Sequence, residues 1–391
     1  MTIAFYAPLK APTHPVPSGD RSVARALMAA LAYAGYDVTL ASDIRLYDGA
    51  GDARIQAQLT HDAEREVARL SQTPEAARWS HWITYHNYYK APDLIGPQVS
   101  TALNIPYLQI ESTRARKRLR GPWAGFAAAA EAASNAARTI FYFTQHDAET
   151  LRRDAPDGQS LVHLPPFLDR THLPARSDLS GPLLSVAMMR PGDKVASYRL
   201  IAEALALVPS HVDWRLDIAG DGAAREDVTA LMAPFGDRVR MLGAVSSDDL
   251  AECYGTARAL LWPGVNEAFG MAYLEAQAAG VPVIAQDRPG VRDVVAGTHP
   301  APDAGPAALA RTIATLWTDD MTARQAAPRG TALARSRAAR TSRLMTRRVR
   351  SCTTCDCPMD GRRPPSCRAR CSAPWKPDGS SPGKPLTLCP R

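Results

Sequence analysis

The feature that most constrains this chain is a rhythm that runs from Ile3 to Trp317. Short runs of β-branched and aromatic residues alternate with segments of helical length. Strands that return in the same direction need a crossover, so this alternation predicts parallel βαβ units and an α/β fold. Six strands are expected in the first half, at Ile3–Ala7, Asp37–Ala41, Trp82–Tyr85, Tyr107–Ile110, Thr139–Phe143 and Leu161–Leu164. The first helix is expected over Asp20–Ala34, where Val23, Leu27, Leu31 and Ala34 recur at helical spacing behind Asp20 as cap. Pro165, Pro166, Pro174 and Pro182 break the rhythm and mark residues 166–182 as a linker between an N-terminal domain, 1–165, and a second domain, 183–330. In the second domain strands are expected at Leu183–Met188, Arg215–Ala219, Arg238–Leu242, Ala259–Trp262 and Val281–Ala285. Helices fall at Val195–Val208, Ala224–Ala233, Ser247–Thr256, Gly270–Ala279 and Ala307–Trp317.

The rhythm stops near Thr331, and composition changes at the same place. Residues 331–391 hold 14 Lys and Arg against 3 Asp and Glu, and six of the seven cysteines. Residues 1–330 hold 32 basic and 36 acidic residues, so the net charge of +7 belongs to the tail and the body offers no support for a nucleic-acid partner. A segment this poor in apolar periodicity cannot bury enough surface to fold alone. The tail, 331–391, reads as disordered or as the product of a shifted reading frame. Cys352, Cys355, Cys357, Cys367 and Cys371 have spacings that could ligate zinc, but no histidine and no apolar residues accompany them, so no metal is expected. The body has no apolar run of about 18 residues and no signal segment at Met1, which points to a cytoplasmic protein.

The densest chemical information lies in ALLWPGVNEAFGMAYLEAQAAGVPVIA, residues 259–285. A strand ends at Trp262, a turn through Pro263 and Gly264 reaches Glu267, and a helix starts at Gly270. Backbone N–H groups at such a helix start suit a phosphate, and a glycine lets the ligand approach. Glu275 lies in a nearly all-apolar helix, where a carboxylate without partners is costly. It reads as an acceptor for ribose hydroxyls or as a residue on a narrow solvated edge. Glu267 reads as a contact to sugar or phosphate, or as a charge favoured at a helix N-terminus.

Glu267 and Glu275, with seven residues between them, resemble the paired-glutamate signature of the retaining glycosyltransferases of family 4. LDIAGDGAAREDVTAL, VRMLGAVSSDDLAECYGTARALLWP and PGVRDVVAG are similar to further blocks of that family, in the same order. The resemblance implies two facing Rossmann-like domains, the GT-B arrangement, with parallel sheets flanked by helices. It implies a nucleoside-diphosphate sugar as donor substrate, bound mainly to the second domain, and no metal or other cofactor. A saccharide or lipid-linked acceptor would lie on the first domain, with at most peripheral contact with the inner membrane face. Without a metal, protein cations must meet the charge that develops on the diphosphate. Arg190 and Lys194 resemble the family's pair for that task, with Arg199 competing for the second place.

Around the nucleotide the same resemblance places Phe269, Gly270, Met271, Gly220 and Gly243, the last beside Leu242 at the nucleobase. A tight turn explains Gly220 and Gly222 equally well. In the first domain Ser18 and Gly19 stand at a helix mouth where the family often has two glycines near the donor phosphates. His86 could touch donor sugar or acceptor, or be a histidine with a satisfied ring at the cleft edge. Glu111 is a comparable candidate for a sugar hydroxyl. The run Arg114, Arg116, Lys117, Arg118, Arg120 could meet a phosphorylated or membrane-anchored acceptor, or form a solvated loop. The function expected from the resemblance is transfer of a sugar with retention of configuration. A nucleotide-sugar epimerase and a catalytically silent nucleotide-sugar-binding protein are the alternatives.

Overall fold

The computed structural model describes residues 1–324 except Pro17, Thr171, Asp320 and Met321. The expected tail, with its cysteines, lies outside the described residues. In the first half the strands are β1 (Thr2–Tyr6), β2 (Asp37–Ser42), β3 (Trp79–Asn87), β4 (Tyr107–Ser112), β5 (Thr139–Tyr142) and β6 (Ser160–His163). They form one parallel sheet in the order β2-β1-β3-β4-β5-β6. In the second half β7 (Leu183–Val186), β8 (Leu216–Ala219), β9 (Val239–Gly243), β10 (Ala259–Leu261) and β11 (Val283–Ile284) form a second parallel sheet, β11-β10-β7-β8-β9.

The crossovers of the first half are α1 (Gly19–Tyr33), α2 (Ala53–Gln72), α3 (Gly96–Leu103), α4 (Ala124–Ala136) and α5 (Gln145–Asp154). The second half contributes α6 (Asp193–Ala206), α7 (Arg225–Met232), α8 (Ser247–Thr256), α9 (Met271–Ala278), α10 (Pro289–Arg292) and α11 (Gly305–Thr318). Strands covered on both sides by helices become apolar throughout, and β1, read Thr-Ile-Ala-Phe-Tyr, is buried at every position. In open sheets of this kind ligands sit beyond the carboxyl ends of the strands, where the strand order reverses. Those points lie between β1 and β3 in the first sheet and between β7 and β10 in the second.

Every expected strand is present, with ends displaced by a few residues. The largest displacement is in β3, which extends the expected Trp82–Tyr85 by three residues before and two after. Its polar members find internal partners, which lets them stay in a buried strand: Thr84 donates to Asp93 at 2.5 Å, and the Asn87 amide reaches Ala130 O at 3.0 Å and Ser134 at 2.9 Å. His86 therefore ends up inside the strand, not after it.

The cap of α1 also differs from expectation. Ser18, in extended backbone, accepts from the Arg21 N–H at 3.2 Å, so Ser18 caps the helix and Asp20 belongs to its first turn. That frees the Asp20 carboxylate for another partner.

Residues 166–182 are bound closely to the second half. Ser177 N–H donates to Ala279 O at 2.8 Å and Gly181 N–H to Thr256 O at 2.7 Å. The halves also touch one another. The Gln145 N–H at the start of α5 donates to the Asp293 carboxylate at 2.6 Å, and Phe143 meets Phe269 edge-on with centroids 5.3 Å apart.

Candidate functional site

The turn from β10 to α9 is held from three sides. From α6, Ser197 accepts the Val265 N–H at 3.1 Å and Asp193 accepts the Asn266 side-chain amide at 2.9 Å. From α9, the Tyr273 hydroxyl donates to Trp262 O at 2.9 Å. From α10, Gly290 lies so close that a Cβ there would stand 1.9 Å from Glu267 O. The turn itself needs unusual backbone, with Gly264 at φ +79°, Asn266 at +46° and Gly270 at +65°. Gly270 has no room for a side chain, since a Cβ would be 2.7 Å from the Tyr273 ring.

This frame fixes Glu267, whose Oε2 accepts from Lys194 Nζ and, at 3.0 Å, from Trp262 Nε1. The Lys194 ammonium also lies 5.2 Å from the Trp262 ring centroid, a cation–π distance. Glu267 and Lys194 are both largely shielded, with side chains 14% and 17% exposed. The structure thus brings together two residues that are 73 positions apart. Beside them, the N-cap of α9 is Gly270, and no side-chain cap bond is made there among the described residues. Met271 is half-buried at that helix start, and Phe269 is buried against Phe143.

Glu275 lies apart from this pair, on the side of α9 that faces α8 and the linker. It accepts from the Tyr254 hydroxyl at 3.0 Å and borders a recess with Leu168, Arg170 and Ala278. Burial raises its pKa above the ordinary carboxylate value, against the pull of Tyr254 and of Arg170. Arg190 is exposed after β7. Arg199 is also exposed, but it follows Lys194 by five positions on α6 and therefore projects from a different face. Gly220 and Gly222 have a packing reason: a Cβ would meet Ala187 O at 1.9 Å and Met189 O at 2.3 Å. Gly243 ends β9 at φ +71° with the Arg225 guanidinium beside it.

In the first half, Gly19 opens α1 with free space where a side chain would stand. Next to it Asp20 bonds His86 Nδ1 at 3.0 Å. His86 and Glu111, at the carboxyl ends of the neighbouring strands β3 and β4, both have positive φ, +66° and +56°. Such backbone is strained for these residues and persists only where the surroundings enforce it. Burial works against charge on His86, but the carboxylates of Glu111 and Asp20 outweigh it and raise its pKa to about 9. Burial raises Glu111 to about 7, with Asp147 and Asp20 adding to the effect and His86 opposing it.

Two features escaped the sequence reading. Lys10, in the loop after β1, is coupled to Asp20, Arg45, Arg21 and Arg190, which places positive charge from both halves around one point. Burial and those arginines lower its pKa. The loop carrying it is tied down by Arg45 to Leu9 O at 3.0 Å and Arg25 to Pro12 O at 2.7 Å. The second is Asp147, in the first turn of α5, whose carboxylate accepts from the Thr144 hydroxyl at 2.6 Å. A lone lysine or aspartate carries no pattern, so no local signal marks either.

The basic run from Arg114 to Arg120 divides. Arg114 is buried and bonds Glu131 at 2.8 Å and Asn135 at 2.6 Å, so it belongs to the fold and not to a binding surface. Arg116 pairs with Asp154 at 3.1 Å, and Arg118 lies over the rings of Tyr89 and Trp123. Lys117 and Arg120 are exposed.

Residues 182–319 match the family model described as Glycosyl transferases group 1. That stretch, about a third of the chain, is similar to the group 1 glycosyltransferases. The matched region contains Arg190, Lys194, Glu267, Gly270 and Glu275, all in the second half of the molecule. Among curated relatives, an exopolysaccharide phosphotransferase of Streptomyces coelicolor is 34% identical over 142 residues, 36% of this chain and 14% of that protein. A D-inositol 3-phosphate glycosyltransferase of Streptomyces bingchenggensis is 36% identical over 107 residues, 26% of this chain and 24% of its own length. A GDP-mannose-dependent alpha-mannosyltransferase of Mycolicibacterium smegmatis is 36% identical over 94 residues, 24% of each chain. The chain thus spans at most about a quarter of these relatives.

Among solved structures, sucrose-phosphate synthase from Thermosynechococcus elongatus superimposes with a TM-score of 0.68 at 20% identity, covering 90% of this chain and 98% of the other. HepE of Anabaena, in complex with UDP and glucose, gives 0.64 at 17% identity, covering 90% and 100%. The region similar to group 1 glycosyltransferases is thus the second half of a GT-B fold. No helix among the described residues is long and apolar enough to cross a membrane.

Proposed function

We propose that the chain is a glycosyltransferase that moves a sugar from a nucleoside diphosphate, held by the second half, to an acceptor held by the first, with retention of configuration. The observation that carries this reading is the locked turn that joins Glu267 and Lys194 beside the uncapped start of α9, at the switch point of the group 1 domain. The binding of UDP and glucose by the similarly folded HepE adds to it.

In this reading the diphosphate lies against the α9 amides, with Lys194 and Arg190 as counter-charges and Lys10 facing them from the first half. Glu275 takes ribose hydroxyls in the recess beside Tyr254. The C1–O bond to the diphosphate breaks while the acceptor oxygen bonds C1 from the same face, and the acceptor's proton passes to the departing phosphate oxygen. Glu267 holds Lys194 in place and contacts the sugar. Charge stabilisation by fixed cations and amides makes a metal unnecessary. Neither the nucleotide nor the transferred sugar is specified by these residues. An epimerase would convert the donor with no acceptor present.

The test is nucleotide release from a panel of UDP-, GDP- and ADP-sugars in excess EDTA, with and without saccharide acceptors, and NMR assignment of the product anomer. Acceptor-stimulated release and a retained anomer are expected. Inversion, or strict dependence on a divalent cation, overturns this reading.

A further inference from the structure

The first half contains a second polar constellation that the donor chemistry does not use. His86 comes from β3, Glu111 from β4, Asp20 from α1 and Asp147 from the first turn of α5. Glu111 is 9% exposed, and its Oε2 has no hydrogen-bond partner among the described residues. The nearest cation to that oxygen, His86 Nδ1, is 3.9 Å away, beyond hydrogen-bond reach, because it is bonded to Asp20. An unbonded carboxylate oxygen this deeply buried is costly, and the positive φ of both Glu111 and His86 adds strain at the same spot. Such costs persist in a folded protein where a ligand group is to be received.

The constellation borders the donor turn. Tyr85, 2% exposed, lies with its hydroxyl toward Glu111, its ring is 6.4 Å from Phe143, and Phe143 packs on Phe269 of the turn. Charge is divided between the two sides of this region. Lys10 and Arg190 gather on one side, beside Asp20. On the other, Glu111 and Asp147 lie in the field of the His86 ring, His146 stands beside Asp147, and Asp293 of the second half adds a further carboxylate at the start of α5.

Resting on the reading of the chain as a glycosyltransferase, we propose that Glu111, with His86 and Asp147, forms the acceptor subsite and selects sugars that carry no phosphate, favouring those with an amino group. The free Oε2 accepts a hydroxyl or ammonium proton of the acceptor. The carboxylates of Glu111, Asp147 and Asp293, beside a His86 ring already bonded to Asp20, disfavour an anionic substituent. The acceptor class separates this chain from the relative named for D-inositol 3-phosphate, a phosphate ester.

The test needs no turnover. Glucosamine, glucose and glucose 6-phosphate are titrated separately into the full chain, followed by NMR of the sugar, and UDP is titrated into the same preparation. The expected order is glucosamine, then glucose, then glucose 6-phosphate, with the first and last apart by about tenfold or more, since like charges brought together oppose binding. In Glu111→Gln, which keeps the shape and removes the charge, the preference for glucosamine over glucose 6-phosphate shrinks at least about threefold by the same reasoning. Binding of glucose 6-phosphate equal to or tighter than glucosamine, an unchanged preference in Glu111→Gln, or no binding of any of the three overturns the proposal. UDP separates the two claims: if UDP fails to bind the wild-type chain while the sugars follow the expected order, the donor-site reading fails and this subsite stands.

Discussion

The two halves of the molecule build their sites differently. In the second half Glu267, Gly270 and Glu275 occupy one turn and the helix beside it, Lys194 joins them from α6, and packing from α6, α9 and α10 fixes the turn. In the first half the residues come from four separate elements and meet at strained backbone with one carboxylate oxygen unbonded. Rigid framing suits a site that must hold fixed charges against a diphosphate. An assembled, electrostatically uneven site suits selection of a variable partner. Each difference can be broken by substitution.

The largest effect is expected from Glu267→Ala. Lys194 would lose its partner and the turn its anchor to Trp262, and sugar transfer should fall by about 100-fold or more. Steady-state nucleotide release measures it. A rate within about twofold of wild type would mean that the turn is not the reaction centre, as a lost transition-state contact costs far more than that.

A next, structural effect separates Arg114 from its exposed neighbours. Arg114→Ala leaves Glu131 shielded without its cation and should cost about 3–5 kcal/mol of stability. Lys117→Ala should stay within about 0.5 kcal/mol, as surface substitutions do. Urea unfolding decides, and equal costs would contradict the division of the basic run.

Gly290→Ala tests how tightly the donor turn is framed. The added Cβ must displace Glu267 O or Ala268 O, an overpacking cost of about 1–3 kcal/mol, with weaker nucleotide binding besides. Unchanged melting and unchanged UDP affinity would show that the turn gives way freely.

The smallest effect concerns the first half's pH response. Glu111 is raised from 4.5 to about 7 on folding, so its contribution to stability is present below about pH 4.5 and is lost as pH rises through 7. His86 is raised from 6.5 to about 9, so its contribution is present below 6.5 and is lost as pH rises through 9. Melting temperature should therefore decline between pH 5 and 9 through these two groups, and Glu111→Gln should flatten the lower part of that decline. An identical profile in the variant would remove the coupling.

The same contrast explains what could be read from the sequence. The apolar runs of β7, β10 and β11 and the helix that begins at Gly270 announce themselves, because local pattern and final burial agree. Glu267 and Glu275 stand in that text at fixed spacing. Their partners do not: Lys194 is visible only as a nearby lysine, and Tyr254 as one aromatic residue of α8. In the first half, His86, Glu111, Asp20 and Asp147 are scattered over 128 residues and join only when parallel strands bring their carboxyl ends side by side. Asp20 looks like a helix cap in the sequence because caps are short polar residues before a helix, and Ser18 satisfies the same rule two residues earlier. Arg114 looks like its basic neighbours because burial is decided by α4, through Glu131 and Asn135, and not by the run itself.

The claim on which the rest depends is that the second half holds a nucleotide sugar for transfer. Nucleotide release from the UDP-, GDP- and ADP-sugar panel, measured in excess EDTA for the wild-type chain and for Glu267→Ala, tests it directly. The predicted result is acceptor-stimulated release from at least one donor in the wild type, lost in Glu267→Ala. Release from no donor, or an equal rate in the two proteins, would contradict it.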